Sequence, residues 1–437
     1  MSTQPDHSPP DLLYGLDDLP PLGRTTLYGL QWLILFLPVL TVLSVLSADV
    51  LGLENSARVA FFQRLVLVTG ATMVVQTLWG HRMPLLDGPS MALVITLASL
   101  APAGMPAIGG GMILGGFLIF LCGLLGLARH LTPLFTDRVV GVILLLIGLT
   151  VLPYVLPMIL GVDLDHPQGR PLVLGLSLAL AAVMSAMFHY FKGLWQSLSL
   201  FFGVALGTCL FALFGLVDLS GVATAPWLSA PDPAWGPWPK LNPASAISFT
   251  LAYLAVLVNA AGSLYSLQPV VGSDRMEDRT RRGLIWTGLS GLAAGAAGVV
   301  GTVPYSLSPG VITVTRVGSR FAVTTAGFAL LSMGFLGKVT AVLSAVPEAV
   351  VGSALLVSMA ASVGVSLNII GRRGRLTGRD YLVVGLPVLL GTSASIMPAG
   401  FLDQLPDVLR PLTANGLIVG VVTVLFLEHG LLRGKKK

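Results

Sequence analysis

The stretch PYSLSPGVITVTR, from Pro304 to Arg316, interrupts a chain that is otherwise a succession of apolar segments. Its Ser-Pro-Gly triplet breaks helical backbone, because proline lacks an amide hydrogen and glycine loosens the chain. The β-branched run Val311–Thr315 follows and favours extended backbone. In lipid every backbone polar group needs a partner, so such a break is tolerated only where protein buries it or where it lines a watery cavity. Residues 306–316 therefore predict a strand-like break inside a membrane span.

The composition around this stretch is that of a polytopic membrane protein. Of 437 residues, 54% are hydrophobic and only 10% are charged, against roughly 25% charged residues in soluble domains. The basic residues behind the net charge of +5 lie in short loops between apolar runs, so we expect no nucleic-acid partner. Cys122 and Cys209 fall inside apolar runs, and the sequence has no metal-binding spacing, phosphate-binding loop or nucleophile elbow. We therefore expect no cofactor, no metal and no enzymatic activity.

Fourteen apolar runs follow one another, and most have the roughly 20 residues that a helix needs to cross the hydrocarbon. Lys and Arg are concentrated in alternate loops and near both ends, which predicts cytoplasmic termini, an even number of spans and an inner-membrane location. The third and tenth runs are irregular, and the fifth can be divided. The runs are 27–46, 61–80, 84–101, 110–128, 139–160, 171–190, 197–217, 246–266, 283–301, 306–316, 322–346, 349–370, 381–397 and 412–428.

Two pairs of similar segments indicate an internal inverted repeat. DRVVGVILLLIG (Asp137–Gly148) and EAVVGSALLVSM (Glu348–Met359) share Val-Val-Gly at an offset of 211 residues. LLDGPSMALV (Leu85–Val94) and LSPGVITVTR (Leu307–Arg316) each hold proline beside glycine near the start of a membrane passage. Seven spans separate the members of each pair, so the two copies must run in opposite directions. Secondary transporters are built in this way, and matched breaks of this kind mark their transport sites.

We expect the two interrupted segments to cross at mid-membrane and to pair through extended residues. The half-helices that follow would then aim their N-terminal amide groups at a ligand. The first segment also carries Asp87, and a charge near the bilayer centre costs about 2.5–3.5 kcal/mol on insertion scales, so such acids are functional suspects. Two interpretations of Asp87 stay open. It supplies a carboxylate and a coupling proton at the transport site, or it has a structural role, either as a cap of the half-helix or as a residue near the cytoplasmic mouth beside Arg82.

Three stretches resemble the nucleobase–ascorbate transporters, the uracil and xanthine permease family. YGLDDLPPLGRTTLYGLQW (Tyr14–Trp32) is similar to the start of the family's first span, and GFLGKVTAVLSAVPEAVVGS (Gly334–Ser353) to its junction of spans eleven and twelve. SPGVITVTR (Ser308–Arg316) is similar to the family signature. The resemblance covers essentially the whole chain. It implies an all-α polytopic protein with 14 spans in two inverted seven-span repeats, with the breaks in spans 3 and 10.

The same resemblance implies a division into a core domain that binds substrate and a gate domain that also mediates dimers. Typical members of the family couple the import of uracil, xanthine or urate to protons. The expected parts are a cytoplasmic N-terminal segment (1–26), a core domain (27–128 and 246–346), a gate domain (129–217 and 347–430), an extracytoplasmic loop (218–245) and a basic cytoplasmic tail (431–437).

The site implied by the resemblance departs from the family pattern. Leu307 and Ser308 stand where the signature has an acid or amide and then Asn, whereas Gly310 matches it. In the eighth span Asn259 replaces the usual Glu, and Ser263 replaces an acid or His. Asn259 offers one acceptor and two donors but cannot titrate. The candidate substrate-binding residues are Gln31, Asp87, Gly88, Ser90, Met91, Asn259, Ser263, Ser306, Leu307, Ser308 and Gly310.

These observations favour a secondary active transporter of a nucleobase or related planar ring, coupled to protons through Asp87. An inverted-repeat anion transporter, similar in architecture to sulfate and bicarbonate carriers, or an uncoupled facilitator is the alternative, because helix N-termini with few acids suit an anion. A membrane scaffold or sensor that has lost its acids is a third reading. The expected partners are the solute, a coupling proton, the lipid bilayer and a second copy of the chain.

Overall fold

A computed structural model describes residues 12–53, 55–127, 134, 136–162, 166–230, 238–305, 308–372, 376–406 and 409–432. Helices dominate, as the sequence predicts. They are α1 (Leu22–Val50), α2 (Asn55–Leu78), α3 (Met91–Leu100), α4 (Gly104–Leu124), α5 (Asp137–Thr150), α6 (Leu152–Leu160), α7 (Pro171–Tyr190), α8 (Leu194–Ser197), α9 (Ser199–Leu213), α10 (Ser220–Thr224), α11 (Pro243–Val271), α12 (Met276–Ala297), α13 (Ser308–Thr315), α14 (Arg320–Gly334), α15 (Gly337–Ser344), α16 (Glu348–Gly371), α17 (Gly378–Ser395), α18 (Ala399–Leu402), α19 (Leu409–Ala414) and α20 (Gly416–Phe426).

Several of these helices are membrane spans by length and hydropathy. Within the described ranges, 7 helical segments are long and apolar enough to cross a membrane, or up to 8 if the bent pair α14–α15 forms one span. A multi-pass membrane protein is thereby confirmed, while the count of fourteen spans stays a prediction. Helices α3 and α4 form one continuous helical segment in this count. They are nevertheless separated by the 3-10 turn Ala101–Ala103, and α4 then begins at Gly104, whose φ of +80° would be strained for any other residue.

Two apolar runs are broken where the sequence allowed one helix. Run 139–160 divides into α5 and α6, because Pro153 has no amide hydrogen for the carbonyl of Leu149. The division was one of the two readings left open. Run 322–346 was expected as one span, and the structure divides it into α14 and α15, which meet at an angle of 94°. The chain leaves helical geometry between Gly334 and Gly337.

A two-stranded antiparallel sheet joins the two interrupted segments. Strand β1 (Asp87–Pro89) pairs with β2 (Thr302–Pro304), with Gly88 opposite Val303. Main-chain hydrogen bonds extend the pairing on both sides, from the Tyr305 amide to the Leu86 carbonyl at 2.8 Å and from the Ser90 amide to the Gly301 carbonyl at 2.9 Å. The expected meeting of two extended breaks is confirmed for the first segment.

The second segment differs from the expectation, because the β-branched run that opened the analysis is helical. Val311–Thr315 belongs to α13, and the strand lies upstream, at β2. Strand propensity is weak against context, and Pro309 lies in the first turn of α13, where a missing amide hydrogen costs little. The strand forms instead where a partner chain segment, β1, supplies the hydrogen bonds.

The helices pack in two groups. In the first group α4 lies along α12, α1 and α2 pack against α14, and α11 packs against α3 and α4. In the second group α16 packs against α5, α6 and α7, while α17 packs against α20 and α5. The strand pair belongs to the first group, where it contacts α2, α11 and α12.

The helical segments that begin with the two Val-Val-Gly copies, α5–α6 and α16, pack against each other in the second group. A Cβ atom on Gly141 would meet Ile370, and a Cβ atom on Gly352 would meet Ile159. Ile159 and Ile370 are separated by the same 211 positions as the two glycines. The contacts are therefore reciprocal and antiparallel, the pattern that a two-fold axis produces at an interface between equivalent elements.

Candidate functional site

The strand pair divides its side chains between two faces. Directly opposed residues of an antiparallel pair share a face, and neighbours along a strand alternate. Asp87 therefore lies on the same face as Thr302, and Gly88 lies on the other face with Val303. The two faces have different surroundings and can serve different purposes.

The Thr302 face looks into a buried polar layer between α2 and α12. The Thr302 hydroxyl lies 2.7 Å from that of Ser290, and the Thr72 hydroxyl donates to Ser290 at 2.9 Å. Gln76 of α2 donates to the Gly283 carbonyl at 3.0 Å in the same layer. This layer ties the strand pair to its helices.

Asp87 makes one side-chain hydrogen bond within the part of the chain that the structure describes. Its Oδ2 atom lies 3.2 Å from Nε2 of His81, and both side chains are 0% exposed. The Oδ1 atom is also buried and has no hydrogen-bond partner among the described residues. The interpretation of Asp87 as a helix cap is wrong, since the residue before α3 is Ser90 and the carboxylate turns towards His81.

His81 is the residue of this site that the sequence interpretation missed. It lies in the short turn after α2, six positions before Asp87 and beside Arg82. A histidine that adjoins an intramembrane acid was the available signal. Its burial could not be inferred, because the neighbouring Arg82 indicated an exposed loop.

Gly88 on the opposite face is tightly enclosed. A Cβ atom there would lie 2.7 Å from both the Phe36 ring and the Tyr305 hydroxyl. The Tyr305 hydroxyl donates to the Pro89 carbonyl at 2.7 Å, and the Phe36 and Tyr305 rings are 5.9 Å apart between centroids. This packing requires glycine and fixes β1 against α1.

Helix α11 brings two of the predicted polar residues to the end of β2. The Ser263 hydroxyl is buried and donates to the Pro304 carbonyl at 2.9 Å. Asn259 lies one turn earlier, half-buried, with its Oδ1 atom 3.5 Å from the same hydroxyl. Ser263 thus supports the strand, and Asn259 keeps its amide group available.

The half-helices α3 and α13 begin beside the strands. Ser90 is buried and immediately precedes α3, and the half-buried Met91 is the first residue of α3. Ser308 begins α13, is fully buried, and has a hydroxyl with no hydrogen-bond partner in the described parts of the chain. Gly310 is exposed, with open space where a Cβ would be. Along the chain, α3 thus begins two positions after β1, and α13 begins four positions after β2.

Three predicted site residues cannot be connected to the strand pair. Ser306 and Leu307 lie outside the described residues. Gln31 is half-buried in α1, five positions before Phe36. At 3.6 residues per turn these two side chains leave the helix in different directions, so α1 does not aim both of them at Gly88.

A cavity of about 940 Å³ lies away from these residues, between the two helix groups. It is bordered by α2 and α15 on one side and by α6, α7 and α16 on the other. None of the predicted site residues within the described ranges borders it. Its polar and charged lining includes Arg58, Gln63, Arg170, Asp218 and Glu348.

The family follows from a match that covers most of the chain. The model described as Permease family, Xan_ur_permease, matches residues 23–400. The chain belongs to this permease family. The match confirms the resemblance drawn from the sequence.

Named relatives of this permease are transporters, not enzymes, as expected. It is 26% identical to the nucleobase transporter PlUacP of Paenibacillus larvae, over 88% of this chain and 89% of that protein. It is 25% identical to the uric acid transporter UacT of Escherichia coli, over 93% and 86%. The xanthine permease of Bacillus subtilis is 22% identical, over 93% of each chain.

Solved structures with the same fold are also membrane transporters. The transmembrane domain of the cyanobacterial bicarbonate transporter BicA matches with a TM-score of 0.58 and 15% identity, over 93% of this permease and 96% of that chain. The murine anion transporter Slc26a9 in its inward-facing state matches with a TM-score of 0.60 and 13% identity, over 92% and 67%. At these identities the likeness concerns the fold.

Proposed function

We propose that this permease is a secondary active transporter of a nucleobase or a related planar ring of the uracil, xanthine or urate class. The observation that carries the proposal is the family match over residues 23–400, joined to a strand pair that adjoins the starts of two half-helices. Relatives named for nucleobases, uric acid and xanthine align over nearly the whole chain. Their names supply the substrate class.

The ring would bind beside the strand pair through neutral groups. Asn259 offers an acceptor for a ring N–H and donors for a ring carbonyl. The unpartnered hydroxyl of Ser308 and the first amide groups of α3 and α13 offer further donors. We place Gln31, Gly88, Ser90, Met91, Ser263, Ser306, Leu307 and Gly310 in the same proposed site.

Asp87 is the proposed proton-coupling residue. Its carboxylate is fully buried, accepts one hydrogen bond from His81 and keeps Oδ1 free of described partners. A buried carboxylate with unmet hydrogen-bond capacity is costly as an anion. Asp87 shares a face of the strand pair with Thr302 and the polar layer behind it. We therefore propose that Asp87 binds the coupling proton, and that it affects the solute indirectly, through the position of β1.

Transport would proceed by alternating access of a core domain against a gate domain. The two packing groups of helices correspond to these proposed domains, and the reciprocal contacts of Gly141 and Gly352 favour inverted seven-span repeats. We further propose fourteen spans, cytoplasmic termini in the inner membrane, and a homodimer formed through the gate domain.

An anion transporter is the second candidate, favoured by the fold shared with BicA and Slc26a9. Uptake of externally added, labelled uracil, xanthine, urate, sulfate or bicarbonate into proteoliposomes, with and without an inward proton gradient, separates the candidates. We expect saturable uptake of one ring compound that a protonophore abolishes. Uptake of an anion alone would favour the second candidate, and ring uptake that ignores the protonophore would indicate an uncoupled facilitator. A chain that moves none of these solutes would contradict both.

A further inference from the structure

Both ring nitrogens of His81 are engaged. Nδ1 lies 3.0 Å from the amide nitrogen of Met83, and Nε2 lies 3.2 Å from Oδ2 of Asp87. A backbone amide can only donate, so Nδ1 must be the unprotonated, accepting nitrogen. The ring proton is then on Nε2 and is donated to Asp87, and the ring is neutral. A doubly protonated ring would have to break the contact with Met83.

The turn that carries His81 is held from α12. The guanidinium of Arg279 donates to the carbonyl of His81 at 3.1 Å and to the carbonyl of Arg82 at 2.7 Å. These bonds use backbone oxygens and leave the imidazole to its two partners. The backbone of the turn is therefore held by Arg279, and the orientation of the ring is held by Met83 and Asp87.

The other charged groups that the structure places near the turn are Asp17 and several guanidinium groups. Arg320 of α14 pairs with Asp17 at 2.7 Å and donates to the Thr77 carbonyl at 2.8 Å. Tyr305 donates to the Pro89 carbonyl at 2.7 Å. The remaining charges close to Arg279 are the guanidinium groups of Arg82 and Arg282. Of the His81–Asp87 pair, only Asp87 can change its charge without breaking a hydrogen bond.

We propose that His81 is a positioning residue that presents Asp87 for protonation at a single oxygen, Oδ1. This inference rests on the proposed coupling role of Asp87. His81 occupies Oδ2 with its Nε2–H, so a hydronium ion gives up its proton to the free Oδ1 and leaves as water, while both hydrogen bonds of His81 are kept. The hydrogen bond from Nε2–H also stabilises the deprotonated form, and so sets the pH at which Asp87 takes up its proton.

Two matched substitutions separate the two hydrogen bonds of the ring. In His81→Asn the side-chain oxygen can replace Nδ1 as acceptor for Met83, and the donor to Asp87 is lost. In His81→Gln the side-chain nitrogen can replace Nε2 as donor to Asp87, and the acceptor for Met83 is lost. Both replacements remove the imidazole, so a change caused by loss of the aromatic ring itself should appear equally in both variants.

The pH dependence of uptake in proteoliposomes is the first measurement. Loss of a hydrogen bond to a carboxylate favours its protonated form, so His81→Asn should shift the pH of half-maximal uptake upward by about one unit. His81→Gln should leave that pH unchanged, and neither variant should alter the KM at low pH. Equal shifts in both variants, or no shift in His81→Asn, would overturn the proposal.

Infrared difference spectroscopy of the purified protein gives a readout that needs no substrate. The carbonyl stretch of protonated Asp87 is identified by its loss in Asp87→Asn, and its titration should shift upward in His81→Asn and not in His81→Gln. If the band shifts upward only in His81→Asn but the wild-type permease transports no ring compound, the positioning role of His81 is supported and the transport proposal is refuted. If ring transport is coupled to protons but the band does not shift in His81→Asn, the transport proposal is supported and the positioning role of His81 is refuted.

Folding of the variants is checked by thermal unfolding of each purified protein. Should His81→Asn not fold, ¹⁵N NMR of the wild-type histidines decides, with His81 identified among the 6 histidines by its absence in His81→Gln. Nδ1 should stay unprotonated across the pH range in which Asp87 titrates. A doubly protonated ring in that range would overturn the proposal.

Discussion

Nη1 of Arg58 lies 2.9 Å from Oε1 of Glu348, and this ion pair joins α2 of one helix group to α16 of the other. Both residues border the 940 Å³ cavity between the groups. The Arg58 side chain is 20% exposed and that of Glu348 is 36% exposed, so the pair is partly solvated. A contribution of about 1 kcal/mol is expected for such a pair, enough to bias the equilibrium between two conformations about fivefold.

Neutralising one partner should therefore open the cavity without unfolding the protein. In Glu348→Gln we expect labelling of a cysteine at Ser344, which also borders the cavity, to become several times faster. The background should lack Cys122 and Cys209, which are free thiols. Asp218→Asn is the matched control, because Asp218 borders the same cavity without joining the two groups. A charge-reversed double variant, Arg58→Glu with Glu348→Arg, should return the labelling rate towards wild type.

Replacement of Gly88 by alanine should destabilise the site. The added methyl group would lie 2.7 Å from the Phe36 ring and from the Tyr305 hydroxyl, and overpacking of this kind costs about 1–3 kcal/mol. We expect a lower Tm and loss of uptake. Gly175→Ala is the control, since a Cβ atom there meets nothing within 4 Å. Equal Tm values for the two variants would show that β1 is not held tightly against α1.

Asn259 and Ser263 should respond differently to alanine. Ser263→Ala leaves the buried Pro304 carbonyl without its donor, which costs about 1–3 kcal/mol and should lower the Tm. Asn259 lies half-buried on the same helix face, and Asn259→Ala should leave the Tm unchanged while raising the KM for the transported ring about tenfold. The comparison is made by thermal unfolding and by uptake kinetics. A lowered Tm with unchanged KM for Asn259→Ala would mean that its amide is structural.

Much of the architecture was accessible from the sequence. Proline beside glycine in two matched segments predicted the meeting of residues 87–89 with the second break, because lipid leaves no other partner for broken backbone. The position of β2 could not be predicted, since Thr302–Pro304 has no stronger strand preference than Val311–Thr315. Pairing with β1 decided between them, and such pairing depends on tertiary contact.

For the candidate site, the sequence predicted the break in the backbone at β1 but not the side-chain partner of Asp87. Ser263 and Ser308 were named from their positions in the resemblance; Ser263 donates to the last residue of β2, and Ser308 begins α13 with its hydroxyl buried. The role of Asp87 depended on its partner, and nothing in the residues between them reveals that the chain folds His81 back onto the carboxylate. The sharp bend between α14 and α15 was missed for a similar reason, as the apolar run 322–346 is uninterrupted by proline.

The reciprocal contacts of Gly141 and Gly352 lead to a prediction about symmetry. A methyl group at Gly141 would press on Ile370, and one at Gly352 would press on Ile159. If the two sites are equivalent, Gly141→Ala and Gly352→Ala should lower the Tm by similar amounts, each corresponding to about 1–3 kcal/mol. Their effects should add in the double variant, because the two contacts share no residue.

Smaller partners should relieve each defect separately. Ile370→Ala removes the Cγ1 and Cδ1 atoms that a methyl group at Gly141 would meet. Gly141→Ala should therefore lower the Tm less in an Ile370→Ala background than in the wild type, whereas the effect of Gly352→Ala should be the same in both. Ile159→Ala, which removes the Cγ2 atom opposite Gly352, should show the opposite selectivity. Gly364→Ala in α16 is the control, since a Cβ atom there meets nothing within 4 Å. Rescue without this selectivity, or a loss of stability at only one of the two glycines, would contradict a two-fold relation between the copies.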